Sequence, residues 1–124
     1  MPTEKRALVL IVEDEALVRM HGCAVLEGAG FGVLEAGSAD EAVGILEQHG
    51  DIRLLFSDVD LPGGMTGIEL AALVHKRWPG IGLLLTSGHQ RPQAADLPDD
   101  GLFLRKPWKE RDVVDRLRAI LDRR

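Results

Sequence analysis

The stretch "LLFSDVDLPGGMTG", residues 54–67, joins an apolar run to a loop that carries two acids. The run ends at Asp58, and Asp60 follows two residues later. Burying one carboxylate costs free energy, and a second acid beside it adds repulsion unless a positive group arrives. A proline and three glycines then predict a loop. The question is which positive group these two acids meet.

Apolar runs like this one alternate with helical patterns along the chain. Continuous apolar strands separated by helices indicate a parallel sheet that is covered on both faces. The expected fold class is therefore α/β, a doubly wound five-stranded parallel sheet flanked by helices. The predicted strands are residues 7–12, 31–36, 52–57, 81–86 and 101–106, and the predicted helices are 15–29, 38 or 40 to 49, 67–78 and 109–121.

A further helix is expected between residues 88 and 100, and it should be short. Pro92 can begin a helix but is not tolerated in the middle of one. Pro98 disfavours a helical conformation at the residue before it. The segment between these prolines allows at most about one and a half turns, which predicts a mobile or partly disordered helix.

Composition limits the function classes. The 124 residues fit one domain, residues 1–124, and the net charge of −5 argues against a nucleic-acid surface. No apolar run approaches the roughly 18 residues of a membrane span. The single cysteine, Cys23, lies in a helical pattern and is expected to be a small core residue. One cysteine suits a reducing compartment, so we expect a cytoplasmic protein.

Polar residues collect where the predicted strands end. In parallel α/β sheets, ligands bind at the carboxyl ends of the strands. Because the cluster offers only oxygen ligands and carries several negative charges, it predicts a hard divalent cation, Mg²⁺ first and Mn²⁺ second. A lysine and hydroxyls opposite would complete a phosphoryl-binding pocket. The residues at these ends are Glu13, Asp14, Glu15, Asp58, Asp60, Thr86, Ser87 and Lys106.

Each of these residues also has an ordinary structural explanation. Asp14 could cap the first helix, and Asp58 could be a turn former ahead of a proline. Thr86 could be a plain strand residue, and Lys106 a solvated lysine. Their coincidence at the strand ends of one sheet favours a site.

Four motifs, in order and at suitable spacing, resemble one family. They are "LIVEDE" (residues 10–15), "FSDVDLPGGMTG" (56–67), "LLTSG" (84–88) and "FLRKP" (103–107). Over essentially the whole chain the sequence resembles a response-regulator receiver domain, the CheY-like fold of two-component signalling. The loop before Met65 has one glycine more than the commonest family form.

The resemblance implies a role for each acid at the site. Asp58 matches the aspartate that accepts a phosphoryl group from a histidine kinase. Glu13 and Asp14 match the acidic pair that binds Mg²⁺, with Asp14 expected to be the direct ligand of the two. The backbone carbonyl of Asp60 matches a further protein ligand.

The resemblance also implies switch residues and a pocket lysine. Thr86 matches the hydroxyl that turns toward the phosphoryl group, and Phe103 matches the aromatic switch position. Lys106 matches the lysine that pairs with the phosphoryl group. The bond between Lys106 and Pro107 is expected to be cis.

The expected partners are proteins. They are a histidine kinase or histidine phosphotransfer protein and a downstream target that the sequence does not name. The apolar residues of the first helix spread over more than one face, and Val18 and His21 are expected to dock on the kinase. The alternative is that all the apolar residues of this helix form one wide stripe that packs in the core. The chain is expected to be a stand-alone receiver, with a fragment of a larger protein as the alternative; its oligomeric state is open.

Two other functions share features with this residue set. A haloacid dehalogenase-type phosphohydrolase also uses a strand-end aspartate with Mg²⁺, but its motif pairs two aspartates after the first strand. Here Glu13-Asp14 occupies that place. A degenerate receiver that binds partners without phosphorylation is disfavoured because the residue set is complete. The expected protein is therefore not an enzyme beyond catalysing its own phosphorylation and dephosphorylation.

Overall fold

A parallel sheet forms the centre of the molecule. The computed structural model describes residues 6–88 and 102–123. The five strands lie in the order β2-β1-β3-β4-β5, and all neighbouring pairs are parallel. This order confirms the predicted doubly wound fold. The strands are β1 (Leu8–Val12), β2 (Gly32–Ala36), β3 (Ile52–Asp58), β4 (Gly82–Ser87) and β5 (Leu102–Arg105).

Helices cover both faces of this sheet. The helices of the described residues are α1 (Ala16–Gly28), α2 (Ala39–Gln48), α3 (Gly67–Arg77) and α4 (Glu110–Asp122). Ser38 rather than Asp40 caps α2, and its side chain accepts a hydrogen bond from the backbone N–H of Glu41. Thr66 and Glu69 form a reciprocal capping box at the start of α3, which fixes that helix directly after the loop.

Alternate strand residues feed two separate hydrophobic clusters. One cluster includes Leu10 and Leu55 and packs under α2 and α3, whereas the other includes Ile11 and Phe56 and packs under α1 and α4. Because β1 and β3 contribute to both clusters, they are buried on both faces, as their unbroken apolar runs predict. The acids at the ends of these two strands therefore lie at the centre of the sheet.

Element boundaries agree with the sequence prediction to within about one residue, with two corrections that affect the site. Strand β3 was expected to end at Ser57, but it continues through Asp58 because that residue pairs with Thr86 of β4. Asp14 is not the cap of α1. Glu15 occupies the N-cap position, and no side chain caps the helix there. The expected short helix between residues 88 and 100 falls almost entirely outside the described residues.

The core assignment of Cys23 is confirmed. The residue lies on the inner face of α1 and is 7% exposed. Burial, together with the nearby Glu35, raises the pKa of its thiol to about 11. A thiol with so high a pKa is a poor nucleophile at neutral pH, as suits a packing role. Among residues 6–88 and 102–123, no helix is long and apolar enough to cross a membrane.

Candidate functional site

Three carboxylates converge at the carboxyl ends of β1 and β3. One oxygen from each of Glu13, Asp14 and Asp58 can be chosen so that all three lie within 4.8 Å of one another. Glu13 and Asp58 are buried, whereas Asp14 is exposed. The sequence places these acids at adjacent strand ends, and the parallel pairing of β1 with β3 brings them together.

A single lysine neutralises part of this negative charge. Lys106 follows β5, and its Nζ lies 2.6 Å from Oε1 of Glu13 and 3.3 Å from Oδ2 of Asp58. The peptide bond between Lys106 and Pro107 is cis, as the family resemblance implied. The shorter contact is to Glu13, so the ammonium is shared between two acids rather than dedicated to Asp58.

Burial has the largest effect on the pKa values of the two buried acids at the site. Burial raises the pKa of Asp58 above its ordinary value, and Lys106 only partly offsets that effect. Burial likewise raises the pKa of Glu13. For Lys106, burial opposes the charged form, but the hydrogen bond to Glu13 and the charge of Asp58 outweigh it and raise the pKa. One ammonium therefore under-compensates two buried carboxylates, and the site favours a second cation.

The raised pKa of Asp58 predicts a pH-dependent difference in stability between the wild-type chain and Asp58→Asn. Because its pKa is raised, Asp58 in the folded wild-type chain keeps its proton at pH values above its ordinary pKa of 3.8. The stability that this proton contributes is complete below the unfolded pKa and is lost as the pH rises through the folded pKa. The variant has no such proton.

Without Mg²⁺, Asp58→Asn should therefore gain stability relative to wild type as the pH rises from about 4 to about 7. Urea unfolding of both proteins at several pH values in this range measures the difference. The quantity of interest is the free energy of unfolding of the variant minus that of wild type. If it stays constant or falls as the pH rises, burial does not control the ionisation of Asp58.

The loop after Asp58 is tied back to the strand ends. The backbone N–H of Asp60 donates to Oδ1 of Asp58 at 3.3 Å, and the Ser87 hydroxyl donates to Oδ2 of Asp60 at 3.0 Å. Gly63 and Gly64 have φ values of 86° and 85°, a region that favours glycine. Both glycines therefore adopt a backbone conformation that other residues disfavour, and Ser87 anchors the loop to β4.

The two expected switch residues lie on opposite faces of the sheet. Thr86 is paired with Asp58 in register, but its Oγ1 is buried and finds no hydrogen-bond partner within the described part of the chain. The residue lines a very small cavity together with Phe56, Asp58 and Trp108. Phe103 is half-buried against the cluster under α2 and α3. Thr86 thus has an unpaired donor close to Asp58, whereas Phe103 packs on the other face of the sheet.

The exposed start of α1 and the residues after Lys106 form an apolar groove of about 620 Å³. Val18 and His21 line it, as does Leu17, which is 80% exposed. Trp108 forms one wall, with its ring stacked on His21 at a centroid distance of 5.5 Å. Val18 also lines the polar pocket that contains Asp58, so the groove and the acidic site are adjacent.

The sequence interpretation missed three residues at the site. Leu17 is an apolar residue of α1, and its exposure depends on which face of the helix packs on the sheet. Trp108 lies directly after the last of the four motifs, and the sequence assigns it no role. Arg19 was not considered, although an arginine one turn after an acidic run can reach back over the start of its helix. Its Nη1 donates to the backbone carbonyl of Glu13 at 2.7 Å.

The donor set fits Mg²⁺. All the candidate ligand atoms are oxygens, the pocket around Asp14 and Asp58 encloses about 340 Å³, and the buried negative charge exceeds what Lys106 offsets. Mg²⁺ takes one or two carboxylates and fills its remaining positions with water and phosphate oxygens. A pocket with a few acids on one wall and open space beside them meets that requirement.

Comparison with known proteins agrees with this geometry. The sequence matches the family described as "Response regulator receiver domain" over residues 9–118. It is 36% identical over 121 residues to the sensor kinase CckA of Brucella abortus (strain 2308), which covers 94% of this chain but 13% of that protein. It is 34% identical to the phosphate regulon transcriptional regulatory protein PhoB of Escherichia coli (strain K12), covering 93% of this chain and 52% of that protein.

Solved structures show the same fold. A receiver domain from the hybrid histidine kinase CckA is 31% identical, with a TM-score of 0.79, and the match covers 93% of this chain and 99% of that one. A response regulator receiver protein from Sinorhizobium medicae WSM419 is 22% identical, with a TM-score of 0.90 over 95% and 96% of the two chains. The second similarity concerns the fold alone.

These matches decide between the functions considered. They support a phospho-accepting receiver and give no support to the haloacid dehalogenase alternative. Receiver domains are signalling domains rather than classical enzymes, and they bind Mg²⁺ through an acidic pocket such as the one formed by Glu13, Asp14 and Asp58. Receivers act with histidine kinases, and some relatives are transcriptional regulatory proteins by name. The chain belongs to the response regulator receiver domain family.

Proposed function

We propose that Asp58 accepts a phosphoryl group from a histidine kinase or histidine phosphotransfer protein, in a Mg²⁺-dependent reaction, and that the receiver domain spans residues 1–124. The observation that carries the proposal is the convergence of Glu13, Asp14 and Asp58 within 4.8 Å beside Lys106. Asp58 is the acid held at the centre of the sheet, so it presents a fixed carboxylate to an incoming phosphoryl group.

The reaction is a transfer between two nucleophiles. A carboxylate oxygen of Asp58 forms a bond to phosphorus while the bond from phosphorus to the donor's imidazole nitrogen breaks, and that nitrogen keeps the electron pair. The product is an acyl phosphate, which water later hydrolyses to restore the carboxylate. Phosphoryl transfer of this kind depends on positioning and charge neutralisation more than on covalent chemistry by the protein.

Each neighbouring residue has a proposed role. The carboxylates of Glu13, Asp14 and Asp58 and the backbone carbonyl of Asp60 would hold Mg²⁺, with Mn²⁺ as a substitute. When bound, the cation supplies positive charge to the phosphoryl oxygens. Lys106 would exchange its contact with Glu13 for one with the phosphoryl group, because the new anion carries more charge than either acid.

The readout is proposed to run through Thr86 and Phe103. The Thr86 hydroxyl can donate to a phosphoryl oxygen, which would satisfy a buried donor that has no partner among residues 6–88 and 102–123. Its departure from the small cavity beside Trp108 would change the packing at the end of β4. We propose that Phe103 on the adjacent strand responds to that change, and that the altered surface binds a downstream protein.

Intact-mass measurement tests the proposal. The chain is incubated with acetyl phosphate and Mg²⁺, and a parallel sample contains EDTA. We expect one phosphoryl group per chain, formed only with the cation and mapped to Asp58 after borohydride reduction. Its hydroxylamine sensitivity would identify an acyl phosphate rather than a phosphohistidine. Labelling that is unaffected by EDTA, or that maps to another residue, would refute the proposed function.

Docking of the phosphodonor is assigned to the groove that Leu17, Val18 and His21 line. Leu17→Glu should reduce the rate of phosphotransfer from a cognate kinase about tenfold or more, because a charge in an apolar contact costs binding energy. Its labelling by acetyl phosphate should not change, since Leu17 is 80% exposed and does not line the pocket that contains Asp58. Met20→Glu is the matched control, because Met20 is also exposed but does not line the groove. Equal kinase rates for both variants would contradict this docking surface.

A further inference from the structure

We propose that Arg19 is a positioning residue of the acidic site, which sets the orientation of the peptide unit between Glu13 and Asp14 and so raises the affinity for Mg²⁺. This inference rests on the proposed Mg²⁺ site, but it does not require that Asp58 be phosphorylated. Arg19 belongs to none of the four motifs that carry the family resemblance.

The arginine makes two contacts of different kinds. Its Nη1 donates to the backbone carbonyl of Glu13 at 2.7 Å, and its Nε donates to Oε1 of Glu35 at 3.1 Å. Glu35 lies on β2, at the edge of the sheet. The guanidinium therefore joins α1 and β2 to the turn at which the chain leaves β1.

The bonded carbonyl belongs to the peptide unit that links two of the clustered acids. A peptide unit is planar, so the carbonyl of Glu13 and the N–H of Asp14 turn as one body. The preceding peptide is already held, because the N–H of Glu13 donates to the carbonyl of Ala36 at 3.0 Å. With the contact to Arg19, the backbone is fixed on both sides of Glu13, and the direction in which Asp14 leaves the turn is fixed as well.

Asp14 is the acid that most needs this support. Its carboxylate is exposed, whereas Glu13 is bound by Lys106 and by the backbone N–H of Glu15. An exposed side chain on a free turn would sample many positions, and ordering it would reduce the free energy gained from the cation. A fixed backbone removes part of that cost before Mg²⁺ arrives, as groups that orient metal ligands do in general.

The alternative is that Arg19 only stabilises the surface through its ion pair with Glu35. The chain contains a matched pair of that kind. Arg77 Nη2 lies 3.0 Å from Oε2 of Glu47, between α3 and α2, and both side chains are exposed. Within the described residues, Arg77 forms no hydrogen bond with the turn after β1. Comparison of the two arginines separates positioning from ion pairing.

Charge and position predict opposite effects on Mg²⁺ binding. Arg19 is a cation close to a cation site, so by Coulomb repulsion alone its removal would tighten Mg²⁺ binding. Loss of positioning would instead weaken it. A lysine at residue 19 keeps the charge but cannot form the two-armed contact of a guanidinium, so it tests position at constant charge.

Calorimetric titration of the unphosphorylated chain with Mg²⁺ provides the test. We expect Arg19→Met to raise the dissociation constant roughly tenfold and Arg19→Lys to raise it at least about threefold. Arg77→Met should leave it unchanged. Thermal melts of each variant show that it is folded; Arg19→Lys carries the test alone if Arg19→Met is not.

Three results would overturn this role. They are tighter or unchanged Mg²⁺ binding by Arg19→Met, wild-type binding by Arg19→Lys, and no Mg²⁺ binding by the wild-type chain. A failure of acetyl phosphate to label Asp58 would refute the proposed function, but it would leave these affinities measurable. The two failures are therefore distinguishable.

Discussion

Asp58→Asn should reduce phosphorylation of the chain by acetyl phosphate at least about 100-fold, to the level of side reactions at other acids. An amide nitrogen or oxygen is a far weaker nucleophile than a carboxylate. The replacement keeps the shape of the side chain, which lies at the end of β3 and is 5% exposed, so the fold should tolerate it. The loss would therefore be chemical rather than structural.

Asp60→Asn is the matched control. Asp60 lies two residues further along the same loop, and its proposed contribution to the cation is a backbone carbonyl, which the substitution retains. Its carboxylate is bonded by Ser87 at 3.0 Å, and an asparagine oxygen can still accept that hydrogen bond. Labelling of this variant should remain within a few-fold of wild type.

The two variants together identify the acceptor. Labelling of Asp58→Asn at the wild-type level would assign the phosphoryl group to another residue, with Glu13 and Asp14 the nearest acids. Equal losses in both variants would mean that the loop, rather than one carboxylate, had been disturbed. Peptide mapping of any residual label separates these outcomes.

The sequence was sufficient to predict the sheet because short, mostly apolar runs alternate with helical patterns along the chain. Strands β1 and β3 contain no polar residue before their last positions except Arg53 and Ser57, and both strands lie at the centre of the sheet. Because parallel strands end on the same side of a sheet, the predicted strands also placed the acids that follow them close together.

What the sequence did not predict depends on side-chain packing. The closer contact of Lys106 is to Glu13, at 2.6 Å, although the family resemblance associates this lysine with the phosphoryl group on Asp58. The difference follows from where packing places each carboxylate around the ammonium, at 2.6 Å for Glu13 and 3.3 Å for Asp58. The spacing of Arg19 from the acidic run lets its side chain reach back, but it does not identify the carbonyl that accepts, because every residue offers that acceptor. Periodicity likewise could not decide whether Leu17 faced the core, since the apolar residues of α1 are spread around the helix.

Gly67→Ala should destabilise the fold by about 3 kcal/mol or more, the upper part of the range for inserting an atom where none fits. Gly67 is the first residue of α3, and a Cβ placed there would lie 1.9 Å from the carbonyl oxygen of Asp58 and 2.7 Å from Cα of Val59. Both neighbours are backbone atoms, so a change of rotamer cannot relieve the contact.

The surrounding hydrogen bonds make the backbone hard to move. The N–H of Gly67 donates to the carbonyl of Val59 at 2.8 Å, and the N–H of Val59 donates to the carbonyl of Thr86, also at 2.8 Å. Relieving the overlap would require α3 to withdraw from the end of β3 and would break the first of these bonds. Withdrawal would also turn the peptide that follows Asp58, so a variant that still folds should be labelled more slowly by acetyl phosphate.

Gly44→Ala provides the matched control in urea unfolding. Gly44 lies inside α2, and a Cβ there would meet nothing within 4 Å. Alanine should raise the free energy of unfolding by roughly 0.5–1 kcal/mol, because glycine loses more backbone entropy than alanine in a helix. The same chemical change is thus expected to have opposite signs at the two positions. A Gly67→Ala variant within about 0.5 kcal/mol of wild type, the usual range of a neutral surface change, would show that α3 is not held against the strand that carries Asp58.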